Sequence, residues 1–282
     1  MNSEQSDVTQ LYKAVVLITG ASGGFGQELT RQLLKAGSRL ILTDLDAAIL
    51  HQKVEAIQSE ISTGEVIACL AVDLATREGS ENLYQQVKKL DIPVDILINN
   101  AGIGLFGRMD EVPSEIWEQL MQVNLLAPMR LSSLFAADMI ARKKGHIVNI
   151  SSLAGWSATA GMAHYAASKF GLRGFSEGLF NEVKEHQVKV TAVYPFFSRT
   201  PILRSQSFGT LSKLIEQGFP ESLATDPVDV MRATIQGIVN DKLHVFPDPT
   251  AKSVHLLKRY SPLLLDWISH VFTRRLKVAQ RQ

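Results

Sequence analysis

The chain contains a single cysteine, Cys69, so a disulfide within it is impossible. Cys69 stands in the apolar run VIACLAV and reads as a small buried hydrophobe, not as a nucleophile. No stretch of about 18 consecutive apolar residues occurs, so no helical membrane span is expected. The opening residues MNSEQSDVTQ have neither the basic nor the apolar segment of a secretory leader, and a reducing cytoplasmic setting is expected. Net charge is nearly absent, with 29 basic and 28 acidic residues, and gives no whole-chain attraction for nucleic acid. No spacing of His, Cys and Asp suggests a metal site. Repeats, low-complexity tracts and linkers are missing up to about residue 250. The expected organisation is a polar tail over 1–11, one domain over 12–250 and an extension over 251–282. That extension is where charge collects: from Lys252 onward there are seven Lys or Arg and one acid, Asp266.

What is present is an alternation of short apolar runs with longer amphipathic ones. AVVLIT (14–19), RLILTD (39–44), EVIACLAVDL (65–74), VDILINN (94–100), HIVNIS (146–151), KVTAVYP (189–195) and the short LHVF read as strands. Their continuous β-branched character implies burial on both faces. Between them lie helical patterns, among them FGQELTRQLLKAG, in which Leu29, Leu33 and Leu34 face inward and Gly37 ends the helix. One long helical region is expected from SEIWEQL to FAADMIARKK, and further helices near 163–185 and 227–240. Strand and helix alternating about seven times specify an α/β fold, a doubly wound parallel sheet with helices on both faces.

The loop TGASGGFG follows the first strand and opens the first helix. Gly20, Gly24 and Gly26 allow a tight turn and close approach of a phosphate, and the helix N-terminus offers free N–H groups. Ser22 and Phe25 lie between these glycines and share the expected cofactor contact. Asp44 ends the second strand, 18 residues after Gly26. A carboxylate there accepts hydrogen bonds from adenosine ribose hydroxyls and repels a 2′-phosphate. The loop holds no Lys or Arg to offset that repulsion, and Arg39 lies too far back, so NAD is expected over NADP. The plainer alternative is that Asp44 caps the turn in TDLD.

HYAASKFGLRGF places Tyr165 and Lys169 four residues apart, on one helix face. A phenol titrates near ~10 and does little proton chemistry at neutral pH unless a cation lowers that value; Lys169 is placed to supply one. With the glycine loop, Asp44, NNAG (99–102) and YAASK (165–169) in this order, residues 12–247 resemble the short-chain dehydrogenase/reductase family. The resemblance implies a Rossmann-type oxidoreductase using NAD(H) or NADP(H). It implies Tyr165 as acid/base, Lys169 as the group that lowers its pKa and holds the nicotinamide ribose, and Ser152 as the residue orienting the substrate oxygen. Ser151 is the adjacent competitor; a spacing of 13 residues to Tyr165 favours Ser152. Asn124 matches a helix asparagine that holds a relay water. Asp73 and Leu74 match an adenine-contacting pair, and Asn100, Ala101 and Gly102 the segment beside the ribose. Pro195 and Thr200 match the strand-six turn and the threonine that bonds the carboxamide. Each has a plainer reading: Ser152 as a turn cap, Asn124 bonding backbone, Asn99 and Asn100 as turn formers.

One departure stands out. In YPFFSRTP, Phe196 occupies the place of the family's usual glycine, which leaves the local turn open and makes Phe196 a candidate for the substrate wall. Residues 196–222 form the expected lid, rich in Phe197, Ile202, Leu203, Phe208, Leu211, Leu214, Ile215 and Phe219, with Trp156, Met162 and Leu105 joining from other loops. An apolar lid suggests an apolar alcohol or ketone of steroid, retinoid, terpenoid or acyl type; equally, it packs on its own domain. Arg199 and Arg204 meet either an acidic group or solvent. His164 is expected in the pocket lining or at an oligomer face. PLLLDWISHVFTRRLK (262–277) reads as an amphipathic helix for an anionic membrane surface, a second subunit or the pocket. A homodimer or homotetramer follows from the resemblance. The alternatives to an NAD-dependent alcohol dehydrogenase are an NADPH-dependent carbonyl or 3-oxoacyl reductase and a dinucleotide sensor without turnover.

Overall fold

The computed structural model describes residues 9–211 and 224–263. Seven strands form one parallel sheet: β1 (Val15–Thr19), β2 (Arg39–Asp44), β3 (Glu65–Ala71), β4 (Ile96–Asn99), β6 (Gly145–Ile150), β7 (Val188–Val193) and β9 (His244–Val245). Their order is β3-β2-β1-β4-β6-β7-β9. Val16 pairs with Leu40 on one side and Ile96 on the other. The chain builds outward from β1 through β2 to β3, then returns to place β4 on the opposite side of β1. Loops leaving β1 and β4 therefore diverge and open a crevice at the carboxyl ends of the strands.

The helices are α1 (Gly24–Lys35), α2 (Ala47–Glu60), α3 (Arg77–Lys88), α4 (Ser114–Met121), α5 (Ala127–Ala141), α6 (Ala163–Val183), α7 (Pro227–Val239) and α8 (Pro249–Tyr260). Alternate residues of β1 feed two cores. Val16 and Ile18 pack with Leu29, Leu33 and Leu50 of α1 and α2 and Val230 of α7. Val15 and Leu17 pack with Leu83, Leu131, Phe135 and Leu179 of α3, α5 and α6. Burial on both faces explains the unbroken apolar strand runs. Leu29, Leu33 and Leu34 are buried as expected, and Gly37 leaves the helix at φ +79.

Four features differ from the sequence expectation. β3 is an edge strand, so its residues 66–70 are half-buried, and Cys69 with them. The single long helix is divided: a π-helical turn, Gln122–Leu126, separates α4 from α5. A second small sheet pairs β5 (Leu105–Gly107) in parallel with β8 (Gln206–Phe208), tying the lid to the loop after β4. Finally, α8 occupies the start of the extension, capped by Asp248 with Pro249 at its first position. The expected helix at 262–277 lies, past residue 263, outside the described residues. Among the described residues no helix is long and apolar enough to cross a membrane.

Candidate active site

The glycine loop is held at both ends. Asn100, just past β4, donates from Nδ2 to the carbonyls of Thr19 and Gly20 at 2.9 and 3.0 Å. The Thr19 hydroxyl in turn accepts the N–H groups of Asn100 and Ala101 at 3.0 and 2.9 Å. Gly20 has φ +65, and a Cβ there would stand 2.7 Å from the Ala101 Cα. A Cβ on Gly26 would overlap the Gly20 carbonyl oxygen. These positions admit only glycine, for reasons of backbone crowding. Gly23 begins α1 without a side-chain cap, and its first turn has no acid, so its N–H groups face the loop opening. A dinucleotide diphosphate fits this cradle. Phe25 turns its ring toward the first core, not toward the loop opening.

Asp44 is fastened to the same loop: Oδ2 accepts the Ser22 N–H and Oδ1 the Leu45 N–H, both at 2.8 Å. Capping of α2 belongs to Asp46, which accepts the Ile49 N–H, while Asp44 holds the turn ahead of it through the Leu45 N–H, as its plainer reading has it. Arg39 pairs with Glu65 at 2.7 Å, away from the loop. After β3, Asp73 is exposed and accepts the Ala75 N–H at 2.8 Å, while the Leu74 side chain is buried in the second core.

On the other side of the crevice, α6 carries Tyr165 and Lys169, 9% and 4% exposed. Lys169 donates from Nζ to the Ile150 carbonyl at 3.0 Å and lies 5.7 Å from the Tyr165 ring centroid. Ser152 opens a 3₁₀ turn (Leu153–Gly155), and its hydroxyl caps that turn through the Ala154 N–H at 3.1 Å. Ser151 is turned away, its hydroxyl donating to the Lys169 carbonyl at 3.0 Å. Asn124 is fully buried on the π-helical turn; Oδ1 accepts the Ile103 N–H at 2.8 Å and Nδ2 donates to the Ile103 carbonyl at 2.9 Å. A Cβ on Gly102 would stand 3.3 Å from Asn124 Oδ1 and 3.6 Å from Lys169 Nζ, so these groups converge behind the tyrosine. Wide turns of this kind often mark functional positions.

Burial works against the expected activation. It pushes the Tyr165 phenol up to about 12, with the Ser152 hydrogen bond opposing part of the rise, and brings Lys169 down to about 8. With protein groups alone, desolvation outweighs the contribution of Ser152.

Around Tyr165 gather Leu105, Val112 and Leu120, with Met162, Ala154 and Phe208 packed against them. Phe196 and Phe197 meet edge to face at 5.1 Å at the root of the lid. Pro195 is buried, and Thr200 stands so close to Gly24 that a Cβ there would fall 2.7 Å from its Cγ2. Trp156 corrects the sequence expectation. Its ring does not join the Tyr165 cluster; it packs on Tyr194, Phe246 and His255 and carries the Arg173 guanidinium 3.2 Å above it. Arg199 is spent on the Asp226 carboxylate and the Ala224 carbonyl, closing the base of the lid. The Arg204 side chain and residues 212–223, including Leu214, Ile215 and Phe219, lie outside the described residues. His164 is 3% exposed, accepts the Tyr165 N–H on Nδ1 at 2.9 Å, and is held below its usual pKa by burial. Two residues at the site carried no expectation. Glu111 accepts the N–H and hydroxyl of Thr210 and pairs with Arg108, latching the lid; Asp248 accepts the Phe196 N–H. The dipeptide Asp-Pro at 248–249, a helix-start signal, was the legible trace of the second.

Residues 14–208 match the family model described as short chain dehydrogenase. Epidermal retinol dehydrogenase 2 of Homo sapiens is 32% identical over 252 residues, which cover 88% of this chain and 78% of the relative. A short-chain dehydrogenase from Sphingobium yanoikuyae, solved in complex with NADPH, superposes with TM-score 0.74 at 26% identity, covering 93% of this chain and 95% of that one. The bulky-bulky ketone specific alcohol dehydrogenase from Comamonas testosteroni superposes with TM-score 0.73 at 25% identity, over 90% of this chain and 94% of that one. The order of the strands, the glycine cradle at the β1–β4 crevice and these matches lead to one conclusion: the chain belongs to the short-chain dehydrogenase family and is a Rossmann-type oxidoreductase of the NAD(P)-dependent kind.

Proposed function

We propose that this oxidoreductase moves a hydride between NAD(H) and an apolar secondary alcohol or ketone, with Tyr165 as acid/base. The observation that carries the reading is the convergence of Ser152, Tyr165, Lys169 and Asn124 at the mouth of the glycine crevice. Bound NAD(H) supplies the hydride acceptor or donor. The protein's part is proton chemistry and orientation. Ser152 holds the substrate oxygen beside the Tyr165 phenol, which takes the hydroxyl proton in oxidation and returns it in reduction. Lys169 places a cation beside that phenol, and Asn124 fixes the backbone behind it. Asp44, held by the Ser22 N–H, favours ribose hydroxyls over a 2′-phosphate. The NADPH complex of the Sphingobium relative favours the second reading, an NADPH-dependent reductase.

An apolar substrate is supported by the Leu105, Met162 and Phe208 surroundings of Tyr165 and by the names of the retinol and bulky-ketone relatives. A homodimer or homotetramer is supported by Met129 and Phe170, exposed on α5 and α6. A seat on an anionic bilayer through 262–277 belongs to the same reading, as does a cytoplasmic setting. It is supported by Leu256 and Tyr260, exposed four residues apart on α8, and by the exposed Leu263 beyond it, ahead of the basic tail.

Tyr165→Phe tests the reading, with a bulky aryl ketone as probe and NADH as donor. Turnover should fall by about 10²–10⁴ while NADH still binds. Turnover kept within a few-fold would remove Tyr165 from the chemistry and favour a sensor.

A further inference from the structure

Asp248 has only 3% of its surface exposed. Its two oxygens serve two different parts of the chain. Oδ1 accepts the Ala251 N–H at 2.8 Å and caps α8; Oδ2 accepts the Phe196 N–H at 2.9 Å. Capping alone explains neither the burial nor the second bond. Asp46 and Thr76 cap α2 and α3 from exposed positions with one oxygen each.

The identity of the second donor gives the arrangement its meaning. The Phe196 N–H and the Pro195 carbonyl are the two edges of one rigid peptide plane. That carbonyl accepts the Leu153 N–H at 2.9 Å. Leu153 belongs to the turn that Ser152 caps, and Ala154 of that turn packs against the cluster that holds Tyr165. On the far side of the plane the chain runs through Ser198, whose hydroxyl donates to the Phe196 carbonyl at 3.2 Å, to Thr200 against Gly24. β7 has ended by this point; the Tyr194 N–H is the last to reach β9, bonding the Val245 carbonyl at 2.9 Å. Without Asp248 the Phe196 N–H would lose the acceptor that fixes the tilt of the plane.

We infer that Asp248 is a positioning residue: through the Pro195–Phe196 peptide it sets where Ser152 and Thr200 stand relative to Tyr165. A residue just ahead of the extension thereby becomes part of the catalytic framework. The kinetic consequence rests on the function proposed above; the bridge itself does not.

Two variants separate bridge from cap. Asp248→Ser keeps an oxygen for the Ala251 N–H but is too short to reach Phe196. Asp248→Asn keeps one acceptor and turns the other into a donor facing a donor. Amide hydrogen exchange, read without cofactor, should speed about tenfold or more at Phe196 in Asp248→Ser while α8 stays protected. With NADH and a bulky aryl ketone, kcat should fall about tenfold to a hundredfold with KM nearly unchanged, and Asp248→Asn should lie between. The inference is overturned if Phe196 exchange and kcat stay within about twofold of the parent protein, or if the kcat loss only follows a lost folded fraction. Should Asp248→Ser fail to fold, the same comparison is made on Asp248→Asn. A parent protein that binds no NADH counts against the proposed function, and the exchange result still decides on Asp248.

Discussion

Tyr165 and Lys169 are driven in opposite directions by the same burial, the phenol up to about 12 and the ammonium down to about 8. Their i, i+4 spacing was legible in the sequence; the depth of their burial was not, because it depends on Leu105, Val112 and Phe208 arriving from other elements. The consequence has a definite sign. Oxidation needs the phenolate and should rise with pH through the neutral range, whereas reduction needs the protonated phenol and should stay flat there. A tyrosinate difference spectrum between parent and Tyr165→Phe should show no ionisation near pH 10 in free protein, and an earlier one with the positively charged oxidised nicotinamide bound. Ionisation near ~10 in free protein would contradict the burial argument. Asp44 carries the cofactor choice. Asp44→Ser should improve NADPH binding relative to NADH by about tenfold or more, since it removes a charge facing the 2′-phosphate. An unchanged ratio, read by nicotinamide emission, would take that role from Asp44.

At the scale of elements, the seven strands and their parallel sheet followed from apolar runs, because burial on both faces leaves a strong local signal; their spatial order is a property of the folded chain. What sequence pattern did not reveal was long-range. The π-helical turn at Asn124 looks like ordinary helix locally and is seen only where Asn124 meets the Ile103 backbone. The three-residue strands β5 and β8 are too short for periodicity, and their pairing joins residues about a hundred positions apart. Trp156 was misplaced for the same reason: its partners Phe246 and His255 come from the far end of the chain. The lid latch built on that pairing is testable. Glu111→Ala removes the acceptor for both Thr210 bonds, so limited proteolysis within 205–211 should quicken while NADH affinity stays within about twofold. Unchanged cleavage would mean that the β5–β8 ladder holds the lid alone. Gly20→Ala should fail to bind dinucleotide and destabilise the fold by about 1 kcal/mol or more, since φ +65 and the Ala101 Cα both oppose a side chain.

For the whole molecule, His146 sets an acid limit. Burial lowers its pKa to about 4, and its ring nitrogens meet the Thr9 and Thr191 hydroxyls at 2.9 and 2.8 Å. The unfolded chain binds that proton near pH 6.5 and the folded protein does not, so stability is full above about 6.5 and declines as pH falls toward 4. The loss approaches about 3 kcal/mol at the acid end. Urea midpoints should fall between pH 7 and pH 5, and the fall should shrink in His146→Gln; an equal fall in both would assign it elsewhere. The basic tail is judged by co-sedimentation: parent protein should pellet with anionic vesicles and a chain ending at 261 should not. Equal pelleting would place the contact outside the extension. The most direct measurement is a titration of the purified protein with NADH and NADPH, followed by the enhanced emission of the reduced nicotinamide. Tight NADH and weak NADPH binding is the predicted result, with Asp44 on the ribose and the glycine loop on the diphosphate. Preference for NADPH would contradict the cofactor assignment, and binding of neither would contradict the account of the site.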